Sequence, residues 1–280
     1  MLNWTYIFFW RFCILSFDNQ YTDDEDVSIE QVNYPNFSDK TSNAMRFINA
    51  YNIIDQSLRG IYNFKRNISF ADVVRRTVPL NSVIRHYEDK LIDYGRLRNS
   101  IVHNSTEERV IAEPHVEVVK EMEHIAQLIS SPPKAVNCIK KKDVQIIDYR
   151  ATIADAIALL SSRGFKSIPV YQEGALVGVL DSVQIVNVLG GALKNEVLNI
   201  SKFISTTPVC DILTNNNEGI TYLVCSEEIT VQEVLNYFYN NRKLQALIIT
   251  KHGTENERAI NILTNADFID LNKIIDDYNI

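Results

Sequence analysis

Ala151-Thr-Ile-Ala-Asp-Ala-Ile-Ala-Leu-Leu160, followed by Ser167-Ile-Pro-Val-Tyr171 and Leu176-Val-Gly-Val-Leu180, decides the fold of the C-terminal half. Thr152 with Asp155 three positions on has the pattern of a capping box, where a hydroxyl and a carboxylate satisfy unpaired backbone donors at a helix start. Ile153, Ala156, Ile157 and Leu160 then share one helical side. Residues 144–149 read as a strand before this helix. Residues 167–171 and 176–180 read as two strands after it, turned by Glu173-Gly174.

The same series returns downstream. Residues 222–225 read as a strand, and Thr230-x-x-Glu233 opens a helix carrying Val231, Val234, Leu235 and Phe238. Residues 244–250 and 260–263 read as strands joined by a longer hairpin around Gly253. The caps Thr152 and Thr230 lie 78 positions apart, and the third strands lie 83 apart because the second hairpin is longer. Matched caps, strands and order make this an internal repeat of one small α/β unit.

Each copy closes on a short motif: Gly178-Val-Leu-Asp-Ser-Val-Gln184 in the first and Asn261-Ile-Leu-Thr-Asn-Ala-Asp267 in the second. Together with Gly164-Phe-Lys-Ser-Ile-Pro-Val170, the tandem β-α-β-β-α series over roughly 137–272 resembles a cystathionine β-synthase-type (CBS) domain pair. The resemblance implies a regulatory module that binds an adenine nucleotide (AMP, ADP or ATP), with no further cofactor required. It implies a hydroxyl beside the phosphate and a carboxylate on the ribose diol, roles that fall on Thr264 and Asp267. The backbone around Ile168, Pro169 and Val170 and around Ala246 and Leu247 is implied to line the adenine slot. A helix N-terminus favours phosphate, so the chemistry is reasonable. The first copy departs from the pattern: Asp181 replaces the hydroxyl residue and Gln184 the acid. A carboxylate beside a phosphate is repulsive, so one nucleotide site per chain is expected. The plainer reading stays open, in which Thr264 only caps the last helix and Asp267 is a solvated first-turn acid.

Upstream, the apolar spacing is helical from Met45 to about residue 129. Phe47, Ala50, Tyr51, Ile54 and Leu58 lie on one face of a first helix, and Ser69 is a candidate cap for a second. A third helix over about 82–102 turns Val83, Tyr87, Leu91, Tyr94 and Ile101 inward. A fourth is expected to start at Pro114, a residue suited to the first helical position, and to present Val116, Val119, Met122, Ile125 and Ile129. Ser130-Ser131-Pro132-Pro133 reads as a linker. The expected class is α + α/β: an N-terminal helical bundle over 45–133, then the tandem pair over 134–280, with copies at about 137–190 and 206–272.

Within the third helix, Arg98-Asn99-x-x-x-His103 resembles the R-x(4–6)-H signature of HEPN domains, many of which are metal-independent ribonucleases. The resemblance implies a homodimer that brings two such sets into one cleft, with RNA as substrate. His103 would move the ribose 2′-hydroxyl proton or protonate the leaving oxygen, Arg98 would stabilise charge on the phosphate, and Asn99 would orient one of them. The alternative stays beside it: His103 ends the helix, Arg98 pairs with Glu88 or Asp93, and the helices only dimerise or bind a partner.

Charge and cysteine usage limit the remaining choices. Residues 59–98 hold nine basic and four acidic side chains, an excess that fits either phosphate attraction or a solvated helical surface. Four widely spaced cysteines without a C-x-x-C pair offer no metal or redox motif and suit a reducing cytoplasm. The apolar start, residues 1–17, is interrupted by Arg11 and is shorter than the roughly 20 residues of a spanning helix, so no stable membrane insertion is expected. An acidic, turn-rich stretch follows it. Residues 1–44 are therefore expected to be a poorly ordered or non-native extension.

Overall fold

The computed structural model describes residues 42–103, 112–139, 144–163, 166–195, 199–213 and 221–276, with the backbone alone at His103 and Arg163. The extension expected over 1–44 lies outside these residues, apart from its last three. Those three begin the first helix, two residues ahead of the apolar periodicity. The Ser42 hydroxyl accepts from the Met45 amide at 3.2 Å, capping α1 (Asn43–Tyr62). Ser69 caps α2 (Phe70–Thr77) by accepting from the Asp72 amide at 3.2 Å.

The third helix, α3 (Ser82–His103), is broken at Tyr87, where φ is −105° and ψ 15°. No proline lies within the helix and its glycine, Gly95, is a full two turns further on. Neither a proline nor a glycine therefore accounts for the break. Helix α4 (Val116–Ser130) starts two residues beyond Pro114. His115 takes the cap, its Nδ1 accepting from the Glu117 amide at 3.4 Å, and Pro114 is buried just outside.

The last residue of the stretch read as a linker, and the two residues after it, are tied to the second copy. The Pro133 carbonyl accepts from the Val231 amide at 2.9 Å, and the Ala135 amide donates to the Ile229 carbonyl at 2.8 Å. Lys134 pairs with Glu228 at 2.6 Å. These contacts satisfy backbone groups around the start of the second copy's helix. A short helix, α5 (Ala135–Cys138), follows.

The first copy runs β1 (Ile147–Asp148), α6 (Ile153–Arg163), β2 (Ser167–Gln172), β3 (Ala175–Asp181) and α7 (Ser182–Lys194). Only two residues of the strand expected over 144–149 are paired. Helices α8 (Ile200–Thr206) and α9 (Cys210–Leu213) follow. The second copy runs β4 (Tyr222–Ser226), α10 (Val231–Asn240), β5 (Ala246–Thr250), β6 (Asn261–Thr264), a 3-10 turn (Asn265–Asp267) and α11 (Phe268–Asp276).

Both sheets have the same order, with the first strand parallel to the second and the second antiparallel to the third. Both caps seen in the sequence form: Thr152 with Asp155, and Thr230 with Glu233. Glu173 (φ 51°) and Gly174 (φ 88°) make the tight first hairpin, whose two positive-φ positions match the strand twist. Gly253 (φ 81°) turns the second, and a Cβ there would stand 2.9 Å from the Ser226 amide nitrogen.

Strand alternation sorts the side chains into three cores. Ile168, Val170 and Leu180 fill the first copy's own core with Ile153, Ala156 and Val209. Tyr171, Leu176 and Val179 meet Ala246, Ile248 and Ala259 in a second cluster, between the copies. On the opposite face of β5, Leu247 and Ile249 join Leu263, Leu271 and Ile275 in one cluster with Phe47, Ile54, Ile84, Leu91 and Met122 of the helices. The helices and the second copy thus share a continuous core, and β5 is buried along its whole length. Among the described residues no helix is long and apolar enough to cross a membrane.

Candidate functional site

Register fixes which residues of the two copies correspond. Ser167 faces Asp181 across the first hairpin, and Ala246 faces Thr264 across the second. Asp181 and Thr264 are therefore equivalent, each ending a third strand and opening a helix. The same register makes Leu247, Ile248 and Ile249 the counterparts of Ile168, Pro169 and Val170.

At the second copy's strand end, Thr264 and Asp267 form a reciprocal cap. The Thr264 amide donates to Asp267 Oδ2 at 2.8 Å, and the Thr264 hydroxyl stands 3.2 Å from the same oxygen. Asp267 is buried and Thr264 half-buried. Threonine and aspartate three apart enforce this arrangement locally, because each satisfies a donor that the helix start leaves open. The same geometry places a hydroxyl, a carboxylate and a helix start side by side, next to Ala246 at the edge of the cluster between the copies.

The first copy builds the same box from different atoms. Asp181 Oδ1 accepts from the Gln184 amide at 2.7 Å, and the Asp181 amide donates to Gln184 Oε1 at 2.9 Å. Its buried carboxylate occupies the place of the Thr264 hydroxyl.

Of the residues expected along the slot, Ala246 turns its side chain toward the first copy, whereas Leu247 turns toward the helices. Ile168 and Val170 point into the first copy's own core, and Pro169 lies on the opposite face, across from Val179. The environment between the copies is apolar. Burial pushes the Tyr171 phenol above its ordinary range, and burial followed by the Glu255 charge does the same to Tyr222. Burial also pushes the Cys225 thiol on β4 up to about 12.

The Arg98 set lies on the far half of α3. The Arg98 guanidinium carbon is 5.4 Å from the centre of the Tyr51 ring, and one of its terminal nitrogens donates to Asn99 Oδ1 at 3.3 Å. Arg98 Nε is buried and has no hydrogen-bond partner among the described residues. Asp93, one of the acids weighed for Arg98, pairs with Arg96 at 2.8 Å. His103 ends α3, and its side chain lies outside the described residues. Nearby, the buried Glu121 of α4 receives Lys90 at 2.5 Å and the Tyr94 hydroxyl. Among the described residues no group of three or more His, Cys, Asp or Glu side chains is placed to hold a metal ion.

One constellation escaped the sequence altogether. The Ile275 carbonyl, in the last turn of α11, accepts from the Tyr87 hydroxyl at 2.6 Å and lies 2.9 Å from His124 Nε2. His86 Nε2 reaches the Asp276 carboxylate at 2.7 Å. Two histidines and a tyrosine from two helices thus converge on the end of a third, across separations near 150 and 190 residues that no local pattern encodes.

Residues 136–191 match the family model of the CBS domain, so the first copy contains a CBS domain. No curated protein matches the chain. Among solved structures, the CBS domain of a bacterial CNNM/CorC family Mg2+ transporter in complex with ATP is similar at 17% identity and a TM-score of 0.38, covering 56% of this chain and 94% of that one. CBSX2 in complex with AMP is similar at 17% identity and a TM-score of 0.38, covering 52% and 99%. A putative acetoin utilization protein (AcuB) from Vibrio cholerae is similar at 14% identity and a TM-score of 0.38, covering 50% and 90%.

Proposed function

We propose that this chain is an adenine-nucleotide-sensing regulatory protein, in which the paired copies over 134–280 receive the ligand and the helices over 45–133 respond to it. The observation that carries the reading is the Thr264–Asp267 pair, a hydroxyl and a carboxylate 3.2 Å apart at the start of the last helix. The hydroxyl and the helix start suit a phosphate, and the carboxylate suits a ribose diol. Backbone from residues 168–170 and 246–247 supplies the edges of the adenine slot. The first copy, with Asp181 at the phosphate position, leaves one site per chain. No further cofactor takes part.

Calorimetry on the full chain with AMP, ADP and ATP tests this. The expected result is one site per chain for at least one of them, with affinity lost in Asp267→Ala. Absence of heat with all three, or binding indifferent to the substitution, removes the reading.

A second reading concerns the helices, and the placing of Arg98 beside Asn99 on α3 favours it. Arg98 forms no ion pair among the described residues, which leaves its terminal nitrogens for a phosphate. In this reading the helices form a HEPN-like ribonuclease under control of the nucleotide module, in a cytoplasmic homodimer, with Arg98, Asn99 and His103 at the reacting phosphate. Incubating RNA with the wild type and with His103→Ala distinguishes the outcomes. Turnover lost in the variant supports cleavage. Equal, negligible turnover leaves a non-catalytic module whose helices dimerise or bind a partner.

A further inference from the structure

We propose that α11 is a strut that carries the state of the Thr264–Asp267 end to the break in α3 at Tyr87, and so sets the segment of α3 bearing Arg98 and Asn99. The input side of this inference rests on the nucleotide reading above; the mechanical linkage itself does not.

Helix α11 has nine residues and a length of about 13 Å at 1.5 Å per residue, short enough to move as one piece. Its N-terminal end is the cap made by Thr264 and Asp267. Leu271 and Ile275 are buried in the core shared with the helices, so the strut runs through that core. The carbonyls of a helix's last turn lack partners within the helix. Here the bundle provides them: Tyr87 and His124 hold the Ile275 carbonyl, and His86 holds the Asp276 carboxylate.

Tyr87 is also the residue with non-helical backbone angles inside α3. No proline or glycine lies at that break, and it coincides with the contact to α11. The bent form of α3 is therefore one that docking of the strut stabilises. Beyond the bend, Lys90 and Tyr94 clamp Glu121 of α4, and Arg98 lies one turn further. The switch at the other end is the cap. A ribose diol that competes for Asp267 Oδ2 weakens its bond to the Thr264 amide, and the 3-10 turn at 265–267 adjusts with it. That turn is continuous with α11, so a change in the cap becomes a displacement of the strut. Two settings of a packed element, biased by a ligand that binds one better, meet the requirement for coupling between sites.

Amide exchange by mass spectrometry on the full chain tests this, following 88–103 with 268–276 and using the first copy's helices as the reference. Without nucleotide, Tyr87→Phe and Asp267→Ala are each expected to speed exchange over 88–103 several-fold. The double variant is expected to be no faster than the faster single, because both changes cut the same strut. Factors that multiply in the double variant overturn the proposal. So does unchanged exchange over 88–103 in Asp267→Ala, or a rise shared equally by the first copy, which would mark general destabilisation. These arms need no ligand, so they decide the linkage even if calorimetry finds no nucleotide. Where AMP, ADP or ATP does bind, the wild type is expected to change its exchange over 88–103 and Tyr87→Phe to bind without that change. Binding to the wild type with no change there overturns the inference while leaving the nucleotide reading intact.

Discussion

The Tyr171 hydroxyl of the first copy donates to the Glu257 carbonyl at 2.9 Å and accepts from the Ala259 amide at 2.9 Å, both in the second copy's hairpin. Beside it, the Leu176 amide donates to the Glu255 carbonyl at 2.7 Å. The residues that lengthen the second hairpin thus form a strap across to the first copy. Tyr171→Phe keeps the ring's packing but leaves the buried Ala259 amide without its acceptor, which costs about 1–3 kcal/mol. Chemical denaturation measures it. An unchanged midpoint would mean that water replaces the hydroxyl and that the strap contributes nothing.

The strap should also respond to acid. Glu257 pairs with His252 Nδ1 and accepts from the His252 amide at 2.8 Å, and these bonds hold its carboxyl at about 2 against an ordinary 4.5. The folded value lies below the unfolded one. Its contribution is therefore complete above pH 4.5 and is lost as the pH falls toward 2. Denaturation midpoints across that window should drop in the wild type, with a shallower slope in Glu257→Gln. Parallel slopes would assign the acid sensitivity to other carboxylates.

Much of this architecture is written in short-range pattern. The caps at Thr152, Thr230 and Ser69 and the turn at Glu173-Gly174 form as their residue types demand, because each depends on atoms within a few positions. The strand expected over 144–149 pairs at only two residues, and α4 begins after His115 rather than at Pro114. Both depend on what neighbours offer. The shared core was not legible for a clearer reason. Leu247 and Ile249 would serve equally well in a β-unit facing solvent helices of its own, and apolarity alone does not name the partner surface. The site behaves similarly: the Thr264–Asp267 spacing predicts the cap, but only register shows that Asp181 holds the equivalent place. The convergence of His86, Tyr87 and His124 on α11 joins elements far apart in the chain, beyond the reach of periodicity.

Leu247 tests the shared core directly. Its side chain is fully buried on the face of β5 that meets the helices, whereas Ile168 is fully buried in the first copy. Leu247→Ala leaves a cavity there and should cost about 2–5 kcal/mol. Because the core is continuous, amide exchange should rise in α1 and α4 together with α10. Ile168→Ala should raise exchange in α6 and β3 first. If Leu247→Ala leaves α1 and α4 untouched, the helices and the second copy are separate cooperative units.

Val183, Val186 and Leu193 form an apolar row on α7, each more than 60% exposed, with Gly190 leaving open space between the second and the third. Ile269 on α11, 67% exposed, repeats the Val186 position, since each follows its cap partner (Gln184 or Asp267) by two residues. Only that position recurs: the counterparts of Val183, Gly190 and Leu193 in the second copy are Ala266, Lys273 and Asp276. An apolar row of that kind can meet the same row of a second copy across a half rotation, which is the geometry of an isologous dimer. Leaving such side chains in water is unfavourable, and pairing them removes apolar area at roughly 25 cal/mol per Å2. The homodimer proposed above is accordingly expected to use this face. Val186→Asp combined with Leu193→Asp places two carboxylates in the contact and should convert the dimer to monomer in sedimentation equilibrium, with helix content unchanged. A variant that stays dimeric would move the interface elsewhere, and the helices at 45–133 would be the next surface to examine.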